Sequence, residues 1–549
     1  ASDVYKRQDK MCDVGAVSNT DTFIKRGAYN TETATSWSWG ALKNVNYFID
    51  GCNDPKYCTV EAETRDNYLG IARWFRAWFY YDKLTTYGEV PWFPNDIQSY
   101  QNDVMYKDRD SRDVIIRNLI ADLDFAYEHI QATSSTGSAT LTRWAAAALK
   151  SRVCLFEAAY RCYHNLTGLE ITPEELYREA AKAAKLVIDN SGCSLNTAAG
   201  KKGAYRDLFY SETPLTQEVI LAVCANEKSG IFGEQNWWFN ARSYGLCWSL
   251  VRSFVHTYLK QDGTPFTAAA DYAVKSFAEE MEGRDLRLEQ TVRGRNFLWD
   301  GKTAVADIKN LSLTGYQVIK YTLDESKYDG GAKNINSIPL IRYAEVLLNY
   351  AEAQAELGVI TDSEWALTVG ALRKRAGITG GTETLPTTVD SYLQRTFYPD
   401  VTSPVLLEIR RERAIELVAE GMRFDDLRRW KCGSLMETLP WSGIHIPGLE
   451  QPVDVNGDGV NDYYFTEGEV ASAPAAYKNI AVRVNQDGVG LYAEANPVSG
   501  YDLVYKTGAG DRYWYPDGRQ YLYPIPAKVI RDYRNAGYTI SQNPEWDNE

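Results

Sequence analysis

Residues 68–88, YLGIARWFRAWFYYDKLTTYG, set Leu69, Ala72, Phe75 and Phe79 on one side of a 3.6-residue spiral and Ile71, Trp74, Trp78 and Tyr81 on the other. Apolar residues on nearly all sides predict a helix, running from Arg65 to Tyr87, that is buried over most of its surface. Gly88 closes it, and Pro91 and Pro94 begin an extended loop. A helix covered all round needs neighbours, and the flanking sequence supplies them. Asp110 or Ser111 caps a second segment with Val114, Ile115, Leu119, Leu123 and Ala126 at steps of three and four. A third, Thr142 to Tyr163, is rich in alanine and lets a neighbour approach closely. A fourth opens with Thr172-Pro173-Glu174-Glu175, a cap with proline in the first turn, and runs from Leu176 to Ile188.

Between residues 192 and 336 the pattern breaks into short strands, turns and aromatic loops, with one helix expected near Leu250 to Leu259 and a turn at Gln261-Asp262-Gly263. Helices return at Ile338 to Leu357, Trp365 to Ala376 and Pro404 to Lys431, and the last hundred residues are irregular until a short helix from Ala527 to Asn535. The expectation is a mainly α fold. A tetratricopeptide-like (TPR-like) helical-repeat superhelix of helix pairs occupies 40–190 and 338–432, and loop-rich regions with a few short strands occupy 192–336 and 433–526. No strict sequence repeat at a fixed period accompanies the helix pairs. Loops on a rigid frame are where binding usually sits.

The chain has 549 residues, enough for more than one packed layer. Its 59 Lys+Arg against 73 Asp+Glu give a formal net charge of -14, which repels phosphate backbones and argues against nucleic acid. No apolar run approaches the roughly 18 residues needed to span a bilayer as a helix. Nine cysteines are too scattered for a disulfide scaffold or a zinc cluster; Cys52 and Cys58, around an Asn-Asp-Pro turn, suit either a bridge or plain burial. The opening Ala-Ser-Asp-Val-Tyr-Lys-Arg-Gln has no apolar run. Cys12 lacks the leucine and small residues expected ahead of a lipidated cysteine, so any anchor is expected upstream.

No nucleophile elbow, zinc-protease helix, phosphate-binding loop or dinucleotide fingerprint occurs, and the four histidines are dispersed. A glycoside hydrolase needs only two suitably spaced carboxylates, which leaves that class open on sequence alone. One loop does suggest an ion. Asp454, Asn456, Asp458 and Asp462 place oxygen ligands at alternate positions with glycine at the sharp turn, as at the start of an EF-hand loop, so structural calcium is expected there. Phe465 stands where the bidentate Glu should be, and Asn456-Gly457-Asp458-Gly459 also reads as a hairpin turn between Val453 and Tyr463.

Five segments, in order, resemble the SusD/RagB family of bacterial nutrient-binding lipoproteins. They are Ala72-Arg73-Trp74-Phe75-Arg76-Ala77 through Tyr87-Gly88-Glu89-Val90-Pro91; WAAAALKSR at 144–152; IPLIRYAEVLLNYAEA at 338–353; RRER at 410–413 with EGMRFDDLRRW at 420–430; and Tyr523-Pro524-Ile525-Pro526 with Gln542-Asn543-Pro544. The likeness implies one SusD-like unit over 1–549, anchored by lipid to the external face of the outer membrane. It further implies a protein that captures an oligosaccharide and delivers it to a SusC-like TonB-dependent transporter, with no catalysis and no required cofactor. Peptide capture is the alternative, and a bare helical scaffold a weaker one. The motifs themselves read as packing: Arg342 and Glu345 suit a buried polar lock, and the Arg/Glu alternation of 408–431 suits pairs along one helix.

Sugar rings offer C–H faces to aromatic rings and hydroxyls to amide, carboxylate or guanidinium groups. The best local match is Trp237, Trp238, Asn240, Arg242 and Tyr244, with the two tryptophans on opposite faces of a strand as the structural alternative. Trp37 and Trp39, which share a face if extended, lie near Asn44 and Asn46 and form a second candidate; Trp299 marks a third.

Overall fold

The helices around residues 68–88 form a row that continues past the segment in which it begins. The computed structural model describes residues 11–134, 139–240, 247–506 and 512–547. Helices α1 (Gly40–Asn53), α2 (Ala62–Tyr87), α3 (Arg112–His129), α4 (Arg143–Tyr163) and α5 (Pro173–Asn190) each pack against the next. Next to α5 comes α6 (Tyr343–Glu356), flanked by α7 (Val369–Arg375) and followed by α8 (Pro404–Glu416). The chain therefore leaves the stack after α5, builds the loop-rich insertion, and re-enters at the adjoining position. Neighbours run antiparallel where the pairings show it. Arg76 of α2 binds Asp122 of α3 while Gly70 approaches Ala126 and Ile130, and Lys150 of α4 binds Glu179 of α5 while Arg161 donates to the Ile171 carbonyl.

Local signals explain these elements. The Ser111 hydroxyl accepts from the Val114 amide, and Thr172 forms a reciprocal capping box with Glu175 behind Pro173. Ala145 to Ala148 in α4 are buried without bulk, and a Cβ on Gly70 would meet Ile130 at 3.1 Å, so small residues set the helix spacing. α2 departs from the expectation of cover on all sides. Trp74, Ala77, Tyr80 and Leu84 are sealed, yet Tyr68 and Phe75 remain 52% and 50% exposed, one stripe of the helix facing outward among the described residues.

Four other expected helices are shorter than their periodicity implies. Ile338–Arg342 is a strand, β2, paired antiparallel with β1 (Val219–Val223), and the helix starts only at Tyr343; Pro339, with no amide hydrogen, and two isoleucines favour the extended form. Trp365 to Ala376 breaks at Thr368, whose φ and ψ of -107° and -93° are not helical. Pro404 to Lys431 breaks where Ala419 and Gly421 take φ of 62° and 77°, leaving α8 and α9 (Arg423–Arg429). The helix expected near Leu250 contracts to Arg252–Val255.

Beyond α9, strands β3 (Ser442–Ile446), β4 (Pro452–Val453), β5 (Tyr463–Thr466), β6 (Ala481–Arg483), β7 (Leu491–Ala495) and β8 (Tyr501–Tyr505) form two three-stranded sheets, β7-β8-β3 and β6-β5-β4. They close a second core around Trp248, Phe254, Tyr316, Trp441, Phe465 and Leu503. No helix among the described residues is long and apolar enough to cross a membrane.

The insertion is tied to the stack by buried ion pairs, which stand beside the same-helix pairs Arg411–Glu408, Arg428–Asp425 and Arg429–Asp426 that the spacing of 408–431 suggested. Arg342 reaches Glu218 at 3.1 Å, Glu416 at 2.6 Å and Glu420 at 2.6 Å. Arg375 of α7 binds Glu218 at 3.0 Å and also Glu416, and Arg287 from the insertion binds Glu416 at 2.8 Å and Glu412. Arg152 holds Glu345, and Arg429 holds Glu352. Arg342 and Glu345 are thus structural locks. Burial opposes ionisation of Glu416, but the guanidiniums of Arg375, Arg342 and Arg287 outweigh it and hold the carboxyl well below its ordinary range. Glu280 behaves likewise: burial is overcome by Arg252, His256 and Tyr316, which bring it down to about 2.

Depressed carboxyl pKa values contribute stability that is complete above the unfolded value and lost as pH falls through the folded one. Thermal melts are therefore expected to shift downward from about pH 4.5 toward pH 2, and Glu416→Gln, which removes the carboxylate that three guanidiniums share, to cost about 3–5 kcal/mol at neutral pH. A variant melting like the wild type would remove this junction from the list of stabilising contacts.

Candidate ligand-binding cleft

Trp37 and Trp39 lie two residues apart in the segment that ends where α1 begins, with the Ser38 amide turning back to the Ser36 carbonyl at 3.1 Å across Trp37. Their centroids are 5.3 Å apart at 73°. Trp37 meets Tyr87 edge-on at 4.9 Å, and Trp39 meets Phe93 at 5.3 Å, which leaves both tryptophans half-buried with an open side. That open side faces a cleft of about 780 Å³. Its other walls come from α1, from Phe93, Asn95 and Ile97, from Met105 and Tyr106, and from the C-terminal helix α10 (Ala527–Asn535).

The loop wall is clamped to α1. Buried Asn46 donates through Nδ2 to the carbonyls of Phe93 at 2.8 Å and Asn95 at 3.0 Å. One turn on, Asp50 accepts from the Asn95 side chain and the Asp96 amide, both at 2.8 Å. Arg76 extends the clamp into the core, donating to the Pro94 carbonyl at 2.9 Å while it holds Asp122 at 2.7 Å. On the far wall the Ala527 amide donates to the Thr31 carbonyl, Arg531 binds Glu32 at 2.6 Å and Lys528 binds Asp532 at 2.7 Å.

Trp237, Trp238 and Trp299 line other parts of the molecule. The first two sit on a short helix, Gln235–Asn240, rather than a strand, and Trp238 packs on the second core. The neighbouring Asn236 is fully buried and engaged: it donates to the Leu323 carbonyl at 2.8 Å and accepts from the Leu323 amide and Asn334 at 2.7 Å. Trp299 sits in a two-residue hairpin with the Arg293 guanidinium 5.1 Å from its ring centre. A cavity of about 270 Å³ is lined by its chain neighbours Asn296 and Phe297 and by Arg206, which is bound to Asp324. Arg242 and Tyr244 lie outside the described residues, as does the side chain of Asn240. Trp37, Trp39 and Asn46 are brought together; Asn44 is exposed on another side of α1. Phe93, Tyr106 and Tyr533 escaped sequence reasoning because no local pattern links them to Trp39, from which they stand 54, 67 and 494 residues along the chain.

At the acidic loop, Val453 pairs with Tyr463, so 454–462 caps a β4–β5 hairpin. Asp454 accepts from the amides of Gly457 at 2.7 Å and Gly459 at 2.8 Å, Asp458 from Val460 at 2.8 Å, and Asp462 from Val455 at 2.8 Å. Asn456 donates to Asp458 at 3.0 Å, and burial raises the Asp462 carboxyl. Among the described residues no group of three His, Cys, Asp or Glu side chains is placed to hold a metal ion. Cys52 and Cys58 stand as half-buried thiols.

Asn46→Ala removes the shared donor of two loop carbonyls. It is expected to cost about 1–3 kcal/mol and to speed amide hydrogen exchange across residues 93–97; unchanged exchange would show that Asp50 and Arg76 hold the loop without it.

A sequence model of the SusD family matches residues 217–546. Among curated proteins none matches the chain. Solved structures share the fold at low identity. A SusD-like protein from Bacteroides fragilis NCTC 9343 is 21% identical with a TM-score of 0.65, the match covering 99% of this chain and 93% of that one. A SusD-like carbohydrate binding protein from the same organism is 18% identical with a TM-score of 0.67, over 96% and 91%. A SusD superfamily protein from Parabacteroides distasonis ATCC 8503 is 17% identical with a TM-score of 0.56, over 98% and 93%. With the family match covering more than half of its residues and the helical stack in place, this chain belongs to the SusD family.

Proposed function

We propose that this protein captures an oligosaccharide in the cleft between α1, the 93–97 loop and α10, and does no chemistry on it. The observation that carries the reading is the pair Trp37 and Trp39, two rings 5.3 Å apart that open onto a cavity of about 780 Å³. That volume falls in the roughly 300–1,000 Å³ range of small-molecule sites. Phe93 and Tyr106 add further ring surface for C–H faces, and Thr35 and Lys43 add polar partners on the same wall. The carboxylates on the wall, Glu32 and Asp532, are each held by a cation, an arrangement that suits binding more than proton donation.

Membership of the SusD family supports the rest of the reading: a lipid-anchored position on the external face of the outer membrane and transfer of the captured glycan to a SusC-like TonB-dependent transporter. The apolar share of the wall, with Leu42, Ile97, Met105 and Val529, favours a peptide as the second reading. Calcium at Asp454, Asn456, Asp458 and Asp462 is also a proposal; it requires these carboxylates to exchange amide hydrogen bonds for the ion.

Two measurements test these readings. Trp37→Ala with Trp39→Ala is expected to abolish retardation in a glycan affinity gel, a loss of at least about tenfold, while Trp299→Ala leaves it unchanged. Retention by the double variant, or calorimetric binding of peptide digests alone, would move the site or the ligand class. Separately, millimolar calcium is expected to raise the melting temperature of the wild type and not of Asp454→Ala; identical melts with and without chelator would end the calcium reading.

A further inference from the structure

The cleft wall beneath the two tryptophans carries more positive charge than its ion pairs neutralise, in a chain whose formal net charge is -14. Arg531 and Lys528 are each matched by an acid, Glu32 and Asp532. Lys43 is not. It is exposed on α1 one turn after Trp39, whose carbonyl takes the Lys43 amide at 3.1 Å, it lines the cleft, and no carboxylate among the described residues forms an ion pair with it. The nearest acid along that face, Asp50, is engaged by the Asn95 side chain and the Asp96 amide.

A second cation lies behind the ring. Lys83 of α2 is 5% exposed, and its ammonium stands 5.9 Å from the centre of the Trp39 ring, 5.3 Å from Phe79 and 5.5 Å from Tyr87. Its three donors share one long hydrogen bond, to the Ser36 carbonyl at 3.4 Å, and it has no ion pair among the described residues. Burial lowers its pKa, and Asp82 partly offsets that. A charge held in such a low-dielectric place acts over a longer range than an exposed one. An anion arriving at the other side of Trp39 would meet both lysines, one in contact and one through the ring wall.

Resting on the reading of this cleft as a glycan site, we propose that its ligand is acidic: an oligosaccharide bearing a carboxylate or sulfate group, with the anion bound by Lys43, drawn by the charge of Lys83, and the adjoining sugar faces laid on Trp37 and Trp39. Lys43 is then the specificity-determining residue.

Calorimetric titrations at low and high salt with oligogalacturonate, its fully methyl-esterified neutral form and a chondroitin sulfate oligosaccharide test this directly. The wild type is expected to bind at least one acidic probe about tenfold more tightly than the neutral one at low salt, with the preference shrinking as salt rises. The two acidic arms report whether carboxylate or sulfate is taken. Lys43→Met should bring the acidic probes down to the affinity of the neutral one, and Lys83→Met, checked for an intact melt, should weaken the preference. Equal binding of acidic and neutral probes, or a preference that survives both variants, overturns the acidic ligand while leaving the cleft reading in place. Failure of all three probes to bind the wild type overturns both.

Discussion

Glu416 has no exposed surface and guanidiniums from three separate parts of the chain around it: Arg287 from the insertion, Arg342 at the end of β2 and Arg375 of α7. Any one of these charges alone in the interior would carry a desolvation penalty of several kcal/mol. Together they satisfy one another only if α7, α8, the β1–β2 ribbon and the insertion arrive in the same register. That geometric demand makes the junction an alignment device. It settles where the insertion sits against the stack more than it adds net stability, because an apolar cluster of equal volume could stabilise as much.

The same chemistry is repeated at smaller scale along the row of helices. Arg76–Asp122 ties α2 to α3, Arg112–Glu157 ties α3 to α4, and Arg152–Glu345 ties α4 to α6. Each pair is buried between helices whose small residues let them come close, so each works at a fixed distance. From Arg76 the chain of contacts runs outward to the Pro94 carbonyl and Asn46, and so to the wall of the cleft. The cleft wall is thus held by the frame rather than by its own loops, as a proposed site that must keep two ring planes in place requires.

Placement of the cleft also differs from the simple picture of a helical frame with ligand-bearing insertions. Its walls are the start of the row, one connecting loop and the last helix of the chain, whereas residues 192–336 and the strands after α9 wrap a second core. Aromatic richness in those regions serves packing to a large extent: Phe239, Trp248, Tyr316, Tyr321 and Trp441 are all sealed there. A tryptophan in an irregular segment is therefore weak evidence of a site by itself, since a loop-rich core consumes aromatic surface as readily as a ligand does.

The helical character of the chain, the caps at Ser111 and Thr172 and the short final helix were legible from residue spacing, because each depends on contacts within a few positions. Family kinship was legible too, through five segments of local pattern. Tertiary structure alone decided that Ile338–Arg342 pairs as a strand, that α8 stops at Glu416, that the Arg/Glu runs reach across the molecule, and that Trp39 comes to share a cleft with Tyr533. The reason is physical. A strand partner, a left-handed break and a buried counter-ion are long-range matters, and a charge pattern that reads as helix-stabilising along one face serves equally well as a set of locks once desolvation forces each ion to find a mate.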